Sequence, residues 1–380
     1  MLFKIFGDPM KLIKIIFILF IFVLMILSAV IVYLEFPMFG KLPQGERLAR
    51  IEKSPNYRSG QFHNISETPL LKTPVNSIIK FFLKNEKQLR PRRPMPTIKT
   101  NIKALDIKED VLIWFGHSSY FIQIDGIRIL IDPLFSDAPS PLTFFPRVFE
   151  GTNIYKPEDM PSIDYLIITH DHWDHLDYET VLKLKPKTKK VICPLGVGEH
   201  LEYWEFKDEQ IIEMDWNEEI ICNENIRIYC LPARHFSGRC LSRNKSLWAS
   251  FLIKTSDFKI YAGGDSGYDA HFAEIGQKFG PIDIALLDSG QHNQQWKYVH
   301  MMPHEVIMAS KDMKAKALLP GHICKICLAY HTWDEPLKKL HEMMKREKFS
   351  ILTPIIGEKI NLRSKNYRAN NWWKKVDLQN

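Results

Sequence analysis

Between residues 15 and 34 no position carries a charge and nearly every one is apolar, on all faces of any helix drawn through the run. About 20 such residues, at roughly 1.5 Å each, cross a bilayer core of about 30 Å, so the run predicts a membrane-spanning helix. A cleaved signal peptide, whose apolar region is shorter at roughly 7–15 residues, is the alternative. Past Pro37 the pattern breaks. Pro43, Pro55, Pro69, Pro74, Pro91, Pro94 and Pro96 oppose long helices and strands. Residues 37–105 are therefore expected to form a lead segment that wraps a following domain, with one short helix near 75–84. From Val111 short runs rich in β-branched and aromatic residues predict strands at 111–115, 120–124, 127–131, 165–168 and 190–193. Asp125-Gly126 between two of them is a hairpin signal. A second series follows at 226–231, 247–253, 258–262, 282–287 and 317–319, with helices near 179–184, 269–279 and 303–313. Strand groups with intervening helices, occurring twice, predict an α/β protein with two sheets covered by helices on their outer faces. The expected organisation is an anchor at 1–36, the lead segment, and a catalytic domain at 106–375.

Composition narrows the classes. Of 380 residues 45% are hydrophobic and 25% charged, which suits a folded domain rather than disorder. The net charge of +7 is scattered, with one local cluster at Arg90-Pro91-Arg92-Arg93, so a nucleic-acid partner is not expected and an anionic lipid surface fits better. Lys4, Lys11 and Lys14 before the apolar run predict a cytoplasmic N-terminus, with the domain on the non-cytoplasmic side. Lys41, Arg47, Arg50 and Lys53 soon after it weaken that asymmetry. Six cysteines (Cys193, Cys222, Cys230, Cys240, Cys324 and Cys327) are too few and too dispersed for a disulfide scaffold. The pair at 324 and 327 lacks a second pair to make a zinc site and reads as two buried thiols.

The chemistry is concentrated after the strand at 165–168, which runs directly into Thr169-His170-Asp171-His172-Trp173-Asp174-His175. Zinc takes imidazole nitrogen and carboxylate oxygen at roughly 2.0–2.2 Å and needs about four ligands. His170 and His172 can share one metal, and Asp174 and His175 can reach a second. Further donors stand just past strand ends, where α/β proteins place their sites: His235, Asp265 after Gly263-Gly264, and His322 after Pro320-Gly321.

Around these donors lie Phe115-Gly116-His117-Ser118-Ser119, Ile131-Asp132-Pro133-Leu134-Phe135-Ser136, Leu176-Asp177-Tyr178, His300 with Pro303 and Glu305, and Trp333-Asp334-Glu335-Pro336. With them the chain resembles the metallo-β-lactamase superfamily, and within it the branch of N-acyl-phosphatidylethanolamine phospholipase D, from about Phe36 to Trp373. The resemblance implies an αββα sandwich holding two zinc ions. It implies that His170, His172 and His235 hold one ion, that Asp174, His175 and His322 hold the other, and that Asp265 bridges. It further implies that Asp132 orients a ligand histidine, that His117 lies close behind the site, and that Tyr178 and His300 face the substrate phosphate, with His300 a candidate proton donor. The Asp174-His175 pair, where β-lactamases of this fold use a cysteine, favours ester or phosphodiester hydrolysis. Trp173 departs from the tyrosine expected there, and Cys324 and Cys327 depart from the residues expected after the last histidine.

The expected activity is that of a phospholipase D-type phosphodiesterase on N-acyl-phosphatidylethanolamine-like membrane lipids. Alternatives are a lactonase, a nucleotide phosphodiesterase, or a catalytically silent tethered binding module. Expected partners are the lipid substrate and the bilayer, and a homodimer is a compatible assembly. The aromatic stretch at 142–149 is expected either to dip into lipid beside the site or to pack into the core.

Overall fold

A computed structural model describes residues 9–69, 89–142, 144–239, 241–364, 367 and 369–376. The helix expected near 75–84, together with Lys4, Thr143 and Cys240, lies outside them. The apolar run forms α1, Pro9–Leu34, none of whose most apolar window is buried in the protein, and which is long and apolar enough to cross a membrane. A short 3-10 turn, Pro37–Phe39, leads to α2, Gly45–Ile51. The start of the lead segment is tied down rather than loose. Arg47 of α2 pairs with the buried Glu213 at 2.8 Å and with Glu202 at 2.9 Å, and the Glu213 carboxylate also accepts the backbone N–H groups of Gly196 and Gly198. The small hairpin of β1, Tyr57–Arg58, and β2, Gln61–Phe62, sinks Phe62 into the core.

Two seven-stranded sheets follow among the described residues. The first is built from β3 (Val111–Trp114), β4 (Tyr120–Ile124), β5 (Ile127–Ile131), β6 (Ile163–Ile167), β7 (Thr188–Pro194) and β8 (Ile211–Met214). The second holds β9 (Glu219–Ile221), β10 (Arg227–Leu231), β11 (Ser250–Lys254), β12 (Lys259–Ala262), β13 (Ile284–Asp288), β14 (Ala317–Gly321) and β15 (Ser350–Ile351). The last strand, β16 (Lys359–Asn361), returns to the first sheet against β3. Each sheet mixes the two pairings: β3–β4–β5 and β9–β10–β11–β12 are antiparallel, whereas β5–β6–β7 and β12–β13–β14 are parallel and joined by longer crossovers.

The period-two alternation of the strands builds the layers. In β4, Tyr120, Ile122 and Ile124 face one core while Phe121 faces another. The first of these cores lies between the sheets and joins Ile129 and Ile167 to Ile228, Phe251, Ile260 and Leu286. The outer face of the first sheet is covered by α3 (Tyr178–Leu184) and α4 (Val197–Tyr203), through Val181, Leu184, Val197 and Leu201. The outer face of the second is covered by α5 (His271–Phe279), α6 (Pro303–Asp312) and α7 (Glu335–Met344), through Phe272, Val306 and Leu340. The result is the αββα sandwich, with α1 standing outside it. The strands predicted from sequence are present with ends moved by up to three residues, because burial on both faces blurs their boundaries. Short edge strands such as β8 and β9, and the short helix α4, carry too weak a pattern to be predicted, whereas α7 went unpredicted although Leu337, Leu340 and Met344 bury one face of it at helical spacing.

Candidate metal centre

The loop between β6 and α3 carries four donors and is shaped from below by Asp132, the first residue past β5. Asp132 Oδ1 accepts the Thr169 backbone N–H at 2.8 Å, and Oδ2 accepts the Thr169 hydroxyl at 2.6 Å and His175 Nδ1 at 2.8 Å. That fixes the His175 tautomer and leaves Nε2 facing the site, as expected of a carboxylate behind a ligand histidine. Three residues here (His117, Asp132 and His322) sit in the left-handed backbone region at φ 55°, 40° and 58°. Such positions cost of order 1–3 kcal/mol each and cluster where function demands a particular side-chain direction. Gly264 allows the second sheet to close on the loop, since a Cβ there would lie 2.9 Å from Thr169 Cβ.

The donors fall into two groups. In the first, His172 Nδ1 lies 2.9 Å from His170 Nε2 and 3.2 Å from His235 Nε2, and Asp265 Oδ2 stands 3.9 and 3.7 Å from the latter two nitrogens. A tetrahedral ion with ligands at about 2.0–2.1 Å separates its ligand atoms by about 3.3 Å, which these spacings bracket. The remote ring nitrogens are already held: His170 Nδ1 by the Thr169 hydroxyl at 3.0 Å, and His235 Nδ1 by the Val299 carbonyl at 3.0 Å. In the second group, Asp174 Oδ2 lies 3.7 Å from His175 Nε2 and 3.9 Å from His322 Nε2. Both of those nitrogens are buried and make no hydrogen bond, which is the state of a ligand aimed at an ion. Asp265 spans the two groups, with Oδ2 3.2 Å from His175 Nε2 and Oδ1 2.5 Å from His322 Nδ1. The donor set therefore fits a pair of metal ions.

Electrostatics agree with this arrangement. Burial, reinforced by neighbouring imidazoles, holds His170 and His235 well below the usual histidine range, so both stay neutral and able to ligate. Burial would raise Asp265, but the adjoining His175 and His322 imidazoles outweigh it and hold the carboxylate well below its usual range, while Asp265, Asp174 and Asp132 in turn raise His175 against its own burial, so that positive charge is favoured between these carboxylates.

The seven expected metal ligands are thus brought together. His117 is brought closer than expected: its Nε2 lies 2.8 Å from Asp174 Oδ2, inside the second donor group. Burial, with His322 beside it, lowers it to about 3. His300 lies at the edge of the centre, with its ring 5.1 Å from those of His235 and His322, and its Nδ1 bonds Asp288 Oδ2 at 2.8 Å. Asp288, the last residue of β13, was not singled out from sequence, although its strand-end position was the available signal. Tyr178 stands apart from the donors. Its ring packs on Trp204 at 4.9 Å, and it lines a cavity of about 250 Å³ with Trp173 and residues 136–141.

Sequence reasoning also missed the support on the far side of the loop. Asp171, between two ligand histidines, accepts the Gly238 N–H at 2.7 Å and the Ser246 hydroxyl at 2.7 Å. Arg239 is buried with its guanidinium 4.0 Å from the Trp173 ring centre and 5.1 Å from that of Trp204. It donates to the carbonyls of Asp171 at 3.2 Å, Leu176 at 2.7 Å and Met38 at 2.7 Å. Phe39 packs edge-on against Trp173 at 5.3 Å, and the Trp204 indole donates to the Pro37 carbonyl at 2.7 Å. The chain leaving α1 is therefore clamped to the metal loop, and Trp173 serves as the contact surface. Cys324 is buried as expected, whereas Cys327 is half-buried with its thiol directed at the Ala329 carbonyl. The stretch at 142–149 divides: Phe149 joins the core and Phe144 faces outward.

The family described as beta-lactamase superfamily domain matches residues 127–323, a span holding all seven expected ligands, Asp132 and His300. An uncharacterized protein of Mycobacterium tuberculosis is 35% identical over 334 residues, covering 85% of this chain and 88% of its own. The N-acyl-phosphatidylethanolamine-hydrolyzing phospholipase D 1 of Caenorhabditis elegans is 30% identical over 250 residues, covering 61% and 68%. Among solved structures, a metallo hydrolase of Ignicoccus hospitalis superposes with a TM-score of 0.50 at 21% identity, covering 67% of this chain and 98% of that one. The fold, the converging donors and these relatives agree: the chain belongs to the beta-lactamase superfamily and is a metal-dependent hydrolase.

Proposed function

We propose that the protein is a zinc-dependent phospholipase D-type phosphodiesterase acting on N-acyl-phosphatidylethanolamine-like membrane lipids. The observation that carries the reading is the position of the donor cluster, four of whose members lie in a loop clamped to the foot of an apolar helix long enough to span a bilayer. The similarity to the nematode phospholipase supports the choice of substrate. His170, His172 and His235 would hold one zinc ion, and Asp174, His175 and His322 the other, with Asp265 shared between them. Two such ions lower the pKa of a coordinated water toward roughly 7 and neutralise the charge of a phosphodiester. Asp132 keeps His175 in its ligating tautomer. Asp288 accepts from His300 Nδ1 and, against burial, raises His300, which favours the imidazolium whose Nε2–H can protonate the leaving oxygen and leave neutral imidazole behind. Phe236, Trp296, Val299 and Leu328 line a mostly apolar cavity of about 220 Å³ beside His300, suited to part of a lipid tail.

The test is to incubate the zinc-loaded full-length chain in mixed micelles with N-acyl-phosphatidylethanolamine, lactones and cyclic nucleotides. Phosphatidic acid and N-acylethanolamine are the expected products. Turnover of a lactone or a cyclic nucleotide with none of the phospholipid would replace this reading.

A further inference from the structure

The last turn of α1 ends between two loops that also rim the metal centre. On one side the Tyr33 hydroxyl donates to the Pro141 carbonyl, and residues 136–141 line a cavity with Trp173 and Tyr178. On the other, Leu34 lines a cavity of about 120 Å³ with Lys41, Ser242 and Lys245. This second loop leaves the centre directly, because the Phe236 ring lies 4.5 Å from that of His172 and Arg243 borders the cavity beside His300.

Each loop turns large apolar side chains to the outside close to where it borders the helix end. Leu142 follows Pro141 and is exposed, and Phe144 is 71% exposed. Leu241 precedes Ser242 and is 83% exposed. Arg243 and Lys41, both exposed, lie beside them. Exposed apolar side chains gathered at one edge and flanked by charge mark an interaction surface rather than a solvated one.

We propose that residues 136–142 and 144–149 of one loop, with 236–239 and 241–245 of the other, form a bilayer-docking surface, with Leu142, Phe144 and Leu241 seated in the interfacial layer, so that the metal centre opens onto the leaflet. The inference rests on reading α1 as a membrane span and the substrate as a lipid, and it adds where and how the domain meets that membrane. The apolar run of α1 ends at Leu34, so Tyr33 sits at headgroup depth, the layer tyrosine favours. A carbonyl bonded to Tyr33 is at that depth too, and one residue advances the chain by only about 3.5 Å. Leu142 is therefore one residue from a point fixed at the membrane surface, and Leu241 one residue from the cavity that Leu34 borders. Arg243 and Lys41 suit an anionic leaflet, and lipid is the occupant already continuous with the helix. The substrate would then reach the centre laterally, without leaving the membrane.

The full-length chain in nanodiscs containing phosphatidylglycerol tests this. Cysteines replace Phe144, Leu241 or, as a control, the exposed Ile221 of β9, and carry an environment-sensitive fluorophore, with the parent chain labelled in parallel. Blue-shifted emission, severalfold brighter and quenched by nitroxide lipids, is expected at 144 and 241 but not at 221. Water-like emission at 144 and 241 in chains that stay in the disc would overturn the docking surface while leaving the anchor intact. Release of the protein from membranes by carbonate would instead overturn the anchor, and the docking plane with it. Shielding that appears only when two chains share a disc would replace lipid with a second copy as the occupant.

Discussion

The floor of the site and its rim are built by opposite means. On the floor every donor except the half-buried His172 is buried, and the framework is held from behind, His175 by Asp132, His170 by Thr169, His235 by Val299 and the loop itself by Arg239. On the rim, Phe144 and Leu241 are exposed and carried by loops. The floor has one geometry to keep, since a metal ligand displaced by a fraction of an ångström is lost. The rim has only to present apolar area at a given depth. Mutations should therefore act steeply and without regard to substrate form on the floor, and mildly but in a substrate-dependent way on the rim.

The floor should fail most completely at Asp265, which both donor groups share. Asp265→Ala is expected to reduce turnover by roughly three orders of magnitude, given that metal-ion stabilisation is worth several kcal/mol and each 1.36 kcal/mol is tenfold. Metal content should fall below about two ions per chain in the same preparation, measured by elemental analysis. Full activity in a metal-free protein would refute the centre altogether. His300→Ala comes next. As a proton donor it is expected to lose about 10²–10⁴-fold in kcat while retaining its metal. A parallel loss of metal would reassign His300 as a ligand, since it also falls within reach of Asp265 and His322.

Arg239 joins floor to rim and should show an intermediate effect. Arg239→Met removes the donors that hold the Asp171 and Leu176 carbonyls, and partners of this kind typically contribute roughly 10–100-fold in metal affinity. Chelator competition should register that loss, with Arg239→Lys recovering only part because a single ammonium cannot reproduce the fork. An unchanged affinity would show that the loop holds itself without the clamp.

How much of this could be read from sequence follows the same division. The ligand loop was legible because four donors stand in six residues after a strand, a pattern that burial and chemistry both enforce. His235, Asp265 and His322 were legible as single residues past strand ends, and the layer order followed from two runs of alternating strands. Arg239 was not, because an arginine in a loop looks solvated until its carbonyl partners, far away in sequence, are known. Asp288 and the entry of His117 into the second donor group depend on pairings between distant strands. The resemblance to a family supplied the assignment of each donor to a particular ion, which spacing alone left open.

The rim should separate substrates by physical form. Phe144→Ser removes an exposed aromatic whose burial in lipid is worth roughly 1.5–3 kcal/mol, or about tenfold in KM at the lower limit. The loss should appear with vesicles and be much smaller with a short-chain soluble phosphodiester. Phe145, which is half-buried, should lose activity on both forms when replaced by Ser, because it supports the loop itself. Equal losses on both substrates for Phe144→Ser would return the whole segment to core packing.

The smallest effect on turnover, and a distinct one on stability, is expected at Lys325, behind the seam where the rim loop leaves the core. Its ammonium is fully buried and donates to the carbonyls of Phe115 at 3.1 Å and Leu134 at 2.6 Å. Burial lowers its pKa to about 7, against about 10.4 in an unfolded chain. Between those values the unfolded state binds more protons than the folded one, so the stability contributed by this group rises with pH. Below about pH 7 both states are protonated and that contribution is constant at its minimum. Denaturant unfolding of the wild-type chain should therefore gain stability from pH 7 to pH 9 relative to Lys325→Met, by an amount of order a kcal/mol per unit. The two carbonyls left unpaired by methionine shift the variant's curve as a whole without changing its slope, so the difference in slope isolates the buried charge. Parallel curves would mean that the ammonium stays charged throughout, held by its two carbonyls despite burial.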